Sequence, residues 1–286
     1  MSDYQIIWRD ERAEILGIIN NFQSIDLAYS ERVVGGLSLV LPSKLYSQRN
    51  FGQDHMLEVQ RRLPGRDFYT ERVFFVRSWM QDDVSLTLSG YDPIYLLTGR
   101  IIAYAANSSY TVKSGPADNV IKAIVRENLG SLATDVARQL AGLTVDADAS
   151  LGASVNFSFS RNKLLDTIQK IADASIQKGT YITFDMDYTG PGAFAFRTYK
   201  QQRGVNRGLS SKNPLVMSSS RGNLVNVKLE EDRSNEVNRV YAGGTGTDAD
   251  RLVGEGGSTD ATNTPWSRRE AFSDHSNVSG TSVLND

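Results

Sequence analysis

Residues 73–90 read VFFVRSWMQDDVSLTLSG, and two kinds of strand sit side by side in them. Val84, Leu86 and Leu88 alternate with Ser85, Thr87 and Ser89, the period-two pattern of a strand with one face buried and one face in water. Val73, Phe74, Phe75 and Val76 do not alternate. Such a run predicts a strand covered on both faces, either by its own domain or by a neighbouring subunit.

Upstream the pattern stays β. Residues 4–8 form a short apolar run, and Leu37, Leu39 and Leu41 alternate with Ser38 and Val40 until Pro42 stops the pairing. Leu57 and Val59 alternate with Glu58 and Gln60 ahead of the turn signal Pro64-Gly65. Short strands separated by turn residues predict an antiparallel sandwich or barrel.

Downstream of Gly90 the composition changes. Asp92-Pro93 predicts a short helix with Asp92 as N-cap and Ile94, Leu97 and Ile101 toward the core. Gly115-Pro116 opens a second helix, in which Val120, Ile121, Ile124, Val125 and Leu129 recur at helical spacing until Gly130. Val136 and Leu140 suggest a weaker helix closed by Gly142. The strongest helical pattern spans 161–178, with Leu164, Leu165, Ile168, Ile171, Ala172 and Ile176 in one stripe, Ser160 as cap and Gly179 as stop. A hairpin follows: Ile182, Phe184 and Met186, a turn at 190–192, then Phe194 and Phe196. Residues 200–213 read as a linker or long loop. Two more strands are expected, one at Val225, Val227 and Leu229 and one at 237–242. From Gly243 onward the chain predicts extended loops, with ordered pieces at 251–253 and at Trp266. The order is therefore β, helix-containing, β: an α+β chain with segregated elements.

The chain has 286 residues, enough for two or three domains, and its 40% apolar and 22% charged content is that of a globular protein. It contains no cysteine, which excludes disulfides, thiolate metal sites and a cysteine nucleophile and suits assembly in a reducing cytoplasm. With 31 basic and 33 acidic side chains it has no basic excess with which to grip nucleic acid, whereas a wall that DNA slides past tolerates such a balance. No apolar run approaches the roughly 18 residues of a bilayer span, and the polar, acid-bearing start does not read as a signal peptide.

The residues able to carry chemistry do not assemble into a set. His55 and His275 are far apart, and Ser273-Asp274-His275-Ser276 has triad residue types whose adjacency works against triad geometry. Asp82-Asp83, Asp185 with Asp187, and Glu230-Glu231-Asp232 offer paired carboxylates for glycoside hydrolysis, but each reads as a solvated strand edge. Asp248, Asp250 and Glu255 miss the calcium-loop spacing, and Gly243-Gly244-Thr245-Gly246 lacks the lysine of a phosphate-binding loop. No catalytic, cofactor or metal residues are expected. Trp266-Ser267-Arg268-Arg269-Glu270 has the residue bias of an interface.

Three segments carry a resemblance. Residues 86–102 run a strand end through Gly90 into Tyr91-Asp92-Pro93, then Leu96-Leu97 and Arg100. Residues 164–179 form the Leu-Leu to Gly helix with its following hairpin. Residues 235–244 read NEVNRVYAGG and are followed by Arg251 and by WSRRE at 266–270. In this order the chain resembles the baseplate hub, or tail-associated, proteins of long-tailed phages, especially siphophages of actinobacterial type. The resemblance touches most of the chain.

The resemblance implies a virion structural protein at the tail tip, not an enzyme, assembled in the host cytoplasm. It implies two antiparallel β tube domains, barrel- or sandwich-like, at 1–95 and 201–286, with an α+β domain at 96–200 between them. Three chains would then present six tube domains and adapt the sixfold tail to a threefold tip around the DNA channel. Implied partners are a distal tail or tail tube protein above, a fibre, spike or tip protein below, a tape measure protein, and passing DNA without specific binding. Val73, Phe74, Phe75, Val76, Arg100, Trp266, Arg268 and Arg269 are the expected inter-subunit contacts. Family members usually continue with at least one more strand, so the second tube domain is either short or missing a C-terminal part. Two other readings stay open: a tail-tip cell-wall hydrolase built on Asp185, Asp187 and the Glu230 cluster, and a receptor- or carbohydrate-binding module built on Trp266. A phage and a related injection or gene-transfer particle are not separable by sequence.

Overall fold

A computed structural model describes residues 3–103, 110–201, 203–221, 223, 224, 228, 230–257, 266 and 268–275. The chain divides into two compact units, residues 1–205 and 206–286. The expected strand at Val225, Val227 and Leu229 lies outside the described residues.

The first unit opens with β1 (Tyr4–Arg9), β2 (Ile15–Ile19), β3 (Ser24–Ser30), β4 (Val33–Pro42), β5 (Met56–Arg62), β6 (Phe68–Gln81) and β7 (Ser85–Tyr91). They form one antiparallel sheet in the order β2-β1-β5-β6-β7-β4-β3. The sheet does not close: β2 and β3 are its two edges. A closed barrel is therefore not what these strands build. The predicted alternation holds in β4 and β7, where Leu37, Leu39, Leu41, Leu86 and Leu88 are buried in one cluster with Ile6, Ile19, Leu57, Val59, Phe74 and Val76. Val84 lies just before β7 and is exposed. Strand β2 carries no strong period, whereas in β3 Ile25 and Leu27 alternate with Ser24, Asp26 and Ala28.

Strand β6 explains its own sequence. Phe74 and Val76 face the sheet's cluster, while Val73 and Phe75 face a second cluster built with the helices. Both covers are supplied within the chain, so these four residues have almost no surface left for a neighbour. Two bulges interrupt the strand. Val59 pairs Arg72 and Gln60 pairs Thr70, leaving Glu71 as the extra residue; Val76 pairs Gly90 and Ser78 pairs Ser89, leaving Arg77. A bulge re-aims the side chains beside it, and here it sits next to charged ones. Opposite the second bulge a side chain at Gly90 would begin 2.8 Å from the Phe75 carbonyl, so only glycine fits.

After a 3-10 turn at Pro93–Leu97 come β8 (Thr111–Pro116), α1 (Ala117–Asn128), β9 (Leu143–Val145), β10 (Ser154–Phe159), α2 (Leu164–Gln177), β11 (Ile182–Gly190) and β12 (Ala193–Lys200). β8 pairs β10, and β11-β12-β9 form a second small sheet. Gly115-Pro116 thus ends a strand rather than opening the helix, although Pro116 does supply the N-cap position. Helix α2 starts three residues later than its pattern suggested. Lys163 bridges Ile101 and the Leu164 N–H bonds the Arg100 carbonyl, so residues before 164 serve a β-bridge, and Ser160 does not cap. Ile101 is exposed and Ile102 takes the buried place. The weak helix near Val136 is a single 3-10 turn, Val136–Arg138. Both helices bury their predicted stripes against Phe184, Met186, Phe194 and Phe196, with Val73 and Phe75 completing the cluster. The sheet and the helical part therefore share a core, and no separate unit begins at residue 96.

In the second unit, β13 (Arg239–Gly243), β14 (Val253–Gly257) and β15 (Glu270–Asp274) form a sheet in the order β14-β13-β15, with β15 parallel to β13. Two of these three strands fall in the stretch read as loops. Glycine-rich β14 lacks the apolar alternation that marks a strand, and β15 is too short to show a period. The described sheets of the two units thus differ: sheets of seven, three and two strands in the first and one of three in the second.

Candidate functional site

The hairpin β11–β12 lies over the sheet along a polar seam. At its centre Arg72, aimed by the Glu71 bulge, donates to both carboxylate oxygens of Asp185 at 2.8 and 2.9 Å and to Asp92. Arg203 donates to the same Asp185. Burial pushes the Asp185 carboxyl up, but Arg72 and then Arg203 outweigh it and hold it below its ordinary value. Asp92 goes the other way. It is wholly buried with one oxygen lacking any partner, and burial raises its pKa despite Arg72. Asp92 holds the expected N-cap position of the turn that follows but makes no side-chain cap bond; its side chain is committed to Arg72.

Toward the hairpin tip, Tyr188 donates to Glu58 at 3.1 Å, and Arg9 donates to the same oxygen at 3.0 Å. Glu58 was expected on a solvated face; the hairpin covers that face instead. Burial raises its pKa, and hydrogen bonds from Thr70, Arg9, Gln60 and Tyr188 more than offset this. At the base, Tyr181 donates to Glu31 at 2.6 Å and Arg32 pairs Asp173 at 2.5 Å. Between these contacts an open cleft of about 890 Å³ is lined by Tyr29, Glu31, Glu71, Arg72, Tyr181 and Arg203, among others.

The residue types that suggested chemistry are placed apart or already occupied. Asp185 and Asp187 do not form a solvated pair: Asp187 accepts from Arg197 at 3.2 Å and from Tyr199. A carboxylate held ionised by two arginines cannot act as a general acid at neutral pH. His55 Nδ1 accepts the Trp8 indole N–H and the Gly52 N–H, each at 3.1 Å, which makes it a structural acceptor. Ser273 and His275 bond each other at 2.9 Å, but Asp274 pairs Arg251, so the three do not act in series. Among the described residues no group of three or more His, Asp or Glu converges to hold a metal. Gly243 ends β13, and Arg251 and Phe272 pack so closely on it that a side chain would begin 2.5 Å from the Phe272 ring.

Of the expected contact residues, Arg100 is half-buried and gives its carbonyl to Leu164, whereas Arg268 and Arg269 are exposed and Trp266 is 86% exposed. One surface was not anticipated. Edge strand β2 carries exposed Ile15, Leu16 and Ile18, with only Ile19 buried. The apolar run at 15–19 was the available signal.

A family model described as Siphovirus ReqiPepy6 Gp37-like protein matches residues 5–283. The chain belongs to this family. Gp37-like membership makes it a phage tail protein by family, with the mostly β, α+β fold of tail proteins. The Gp37-like chain is similar in fold to a tail protein of Neisseria meningitidis MC58, with a TM-score of 0.53, 13% identity, and coverage of 99% of this chain and 74% of that one. It is also similar to the 43 kDa tail protein of prophage MuSo2 from Shewanella oneidensis, with a TM-score of 0.54, 12% identity, and coverage of 98% and 75%. No curated protein sequence matches it.

Proposed function

We propose that this Gp37-like chain is a structural hub subunit of the tail tip, and that three copies form a ring around the DNA channel that adapts a sixfold tail to a threefold tip. The observation that carries the reading is the open sheet with an apolar edge. A strand such as β2, with free backbone groups and exposed Ile15, Leu16 and Ile18, is a liability in a free monomer and an asset in an assembly. The two edges are unlike, and unlike edges pair head to tail, a contact that closes into a ring where the rotation between copies allows it.

In this reading the sheet within residues 1–95 acts as one tube domain and residues 201–286 as a second, while residues 96–200, which share a core with that sheet, form the part between them. Trp266, Arg268 and Arg269 contribute further contacts. A distal tail or tail tube protein lies above, a fibre, spike or tip protein below, and a tape measure protein is a third neighbour. The near-neutral charge of −2 lets DNA pass without being held. The role is non-enzymatic, and the ion pairing of Asp185 and Asp187 supports that.

Light scattering on the purified chain and an image of the tail tip test the proposal. A trimer in solution and threefold density at the tip are expected; a monomer inside an assembled tail would refute it. The exposure of Trp266 favours a second reading, glycan or receptor binding. Loss of glycan binding in Trp266→Ala, with the trimer intact, would establish it.

A further inference from the structure

We infer that the cleft beside edge strand β3 is a receptor for a side-chain cation, an arginine or lysine from another protein chain; in the proposed ring that chain is the neighbouring copy paired on β3. The argument begins with the cleft's own charges. Its three arginines are committed: Arg72 to Asp92 and Asp185, Arg203 to Asp185 and Asp187, and Arg32 to Asp173. Two carboxylates are not matched in this way. Glu31 receives the Tyr181 hydroxyl at 2.6 Å and the Arg203 backbone N–H at 3.3 Å, and no cation pairs it among the described residues. Glu71 has the Tyr29 hydroxyl at 3.4 Å and Arg61 at 3.8 Å, both on Oε1; its Oε2 is buried with no partner at all.

A carboxylate oxygen withdrawn from water and left without a donor is costly, and a cation brought to the accessible side of the same carboxylate offsets that cost. Tyr29 and Tyr181 line the same cleft. Tyr29 already attracts a guanidinium, since the Arg72 carbon lies 5.7 Å from its ring. Glu31, with no cation, and Glu71, with only Arg61 at 3.8 Å, beside two phenol rings form a receptor for guanidinium or ammonium. An anion would meet Glu31 and Glu71 while finding every cleft arginine engaged.

The strand beside the cleft argues for a protein as the source. Tyr29 and Ser30 belong to β3, the free edge of the seven-stranded sheet. A second cleft of about 580 Å³ shares Tyr29, Ser30 and Glu71 with the first and is lined further along β3 by Leu27 and Ala28. A chain laid along that edge would carry a side chain into the cleft, whereas a free polyamine would gain nothing from the strand.

Titration calorimetry of the full chain with the capped peptide Ser-Thr-Arg-Thr-Ser, its citrulline counterpart and spermidine tests this. The arginine peptide is expected to bind in the millimolar range, the citrulline peptide at least tenfold more weakly, and spermidine no better than the arginine peptide. Glu71→Gln is expected to abolish peptide binding while melting no lower than the unsubstituted chain. Glu31→Gln gives an independent reading and is expected to weaken binding at least tenfold. The inference is overturned if the arginine peptide does not bind, if citrulline binds equally, if spermidine alone binds, or if both variants bind unchanged.

Discussion

Arg72 on the sheet and Asp185 on the hairpin, 113 residues apart in sequence, face each other with two parallel hydrogen bonds. The pair fixes the hairpin at the centre of the polar seam. Removing the arginine leaves Asp92 and Asp185 buried without their shared cation. Arg72→Ala is therefore expected to lose roughly 3–5 kcal/mol of stability, measured by chemical denaturation.

The acid limb of stability follows from the same seam. Asp185, Glu58 and Asp118 have lowered pKa values, in each case because hydrogen-bond and charge partners outweigh burial. A lowered carboxylate contributes stability above its unfolded pKa and loses it as pH falls through the folded one. Asp92, raised by burial, contributes in the opposite sense, gaining as it protonates. Five lowered carboxylates, exposed Asp82 and Asp232 among them, against one raised predict a net loss of stability as pH falls below about 4. Asp185→Asn should flatten that slope, read from denaturation midpoints at stepped pH.

At the alkaline end two tyrosines stand out. Burial and then the nearby Glu58 charge push Tyr188 up to about 12, and burial and then the bond to Asp187 push Tyr199 up to about 12. Their contribution is fully present below the ordinary phenol value near 10 and is lost as pH rises through 12. Ultraviolet titration should show two late-ionising tyrosines, and Glu58→Gln should bring one of them earlier.

Gly142 and Gly179 separate two reasons for being glycine. Both have a left-handed backbone, at φ +77° and +78°. A side chain at 142 would begin 2.1 Å from the Gly192 carbonyl, whereas nothing lies within 4 Å at 179. Gly179→Ala is expected to cost about 1 kcal/mol of backbone strain. Gly142→Ala should cost clearly more, since the β9–β12 contact must also open; thermal melting of the two variants gives the comparison.

Ile18 tests the edge strand directly. It is 57% exposed, so Ile18→Lys should change monomer stability by no more than about 0.5 kcal/mol. The same change should lower the assembled fraction in sedimentation, because a lysine on an edge blocks strand pairing.

Much of the first unit was legible because its signals are periodic. The leucines of β4 and β7 and the stripes of α1 and α2 repeat at the spacing of their elements, and the doubly apolar 73–76 announced two covers. Strand β8 is not legible, since Gly115-Pro116 signals a helix start and the strand before it has no apolar alternation, whereas β10 does carry a signal, Val155, Phe157 and Phe159 alternating with Ser154, Asn156 and Ser158. The polar seam was invisible for a different reason. Asp185 looks like any acid in an alternating strand, and only the fold supplies Arg72 and Arg203. Helix α2 was read too long because its first residues form a bridge with residue 101, a partner no local pattern reveals.

Strand β6 has a mechanical consequence. Its alternate side chains are keyed into two different hydrophobic layers, so it cannot slide along its axis without withdrawing aromatic rings from both at once. Freeing it therefore disrupts both layers together, so the sheet and the helical part should lose their order as one cooperative unit.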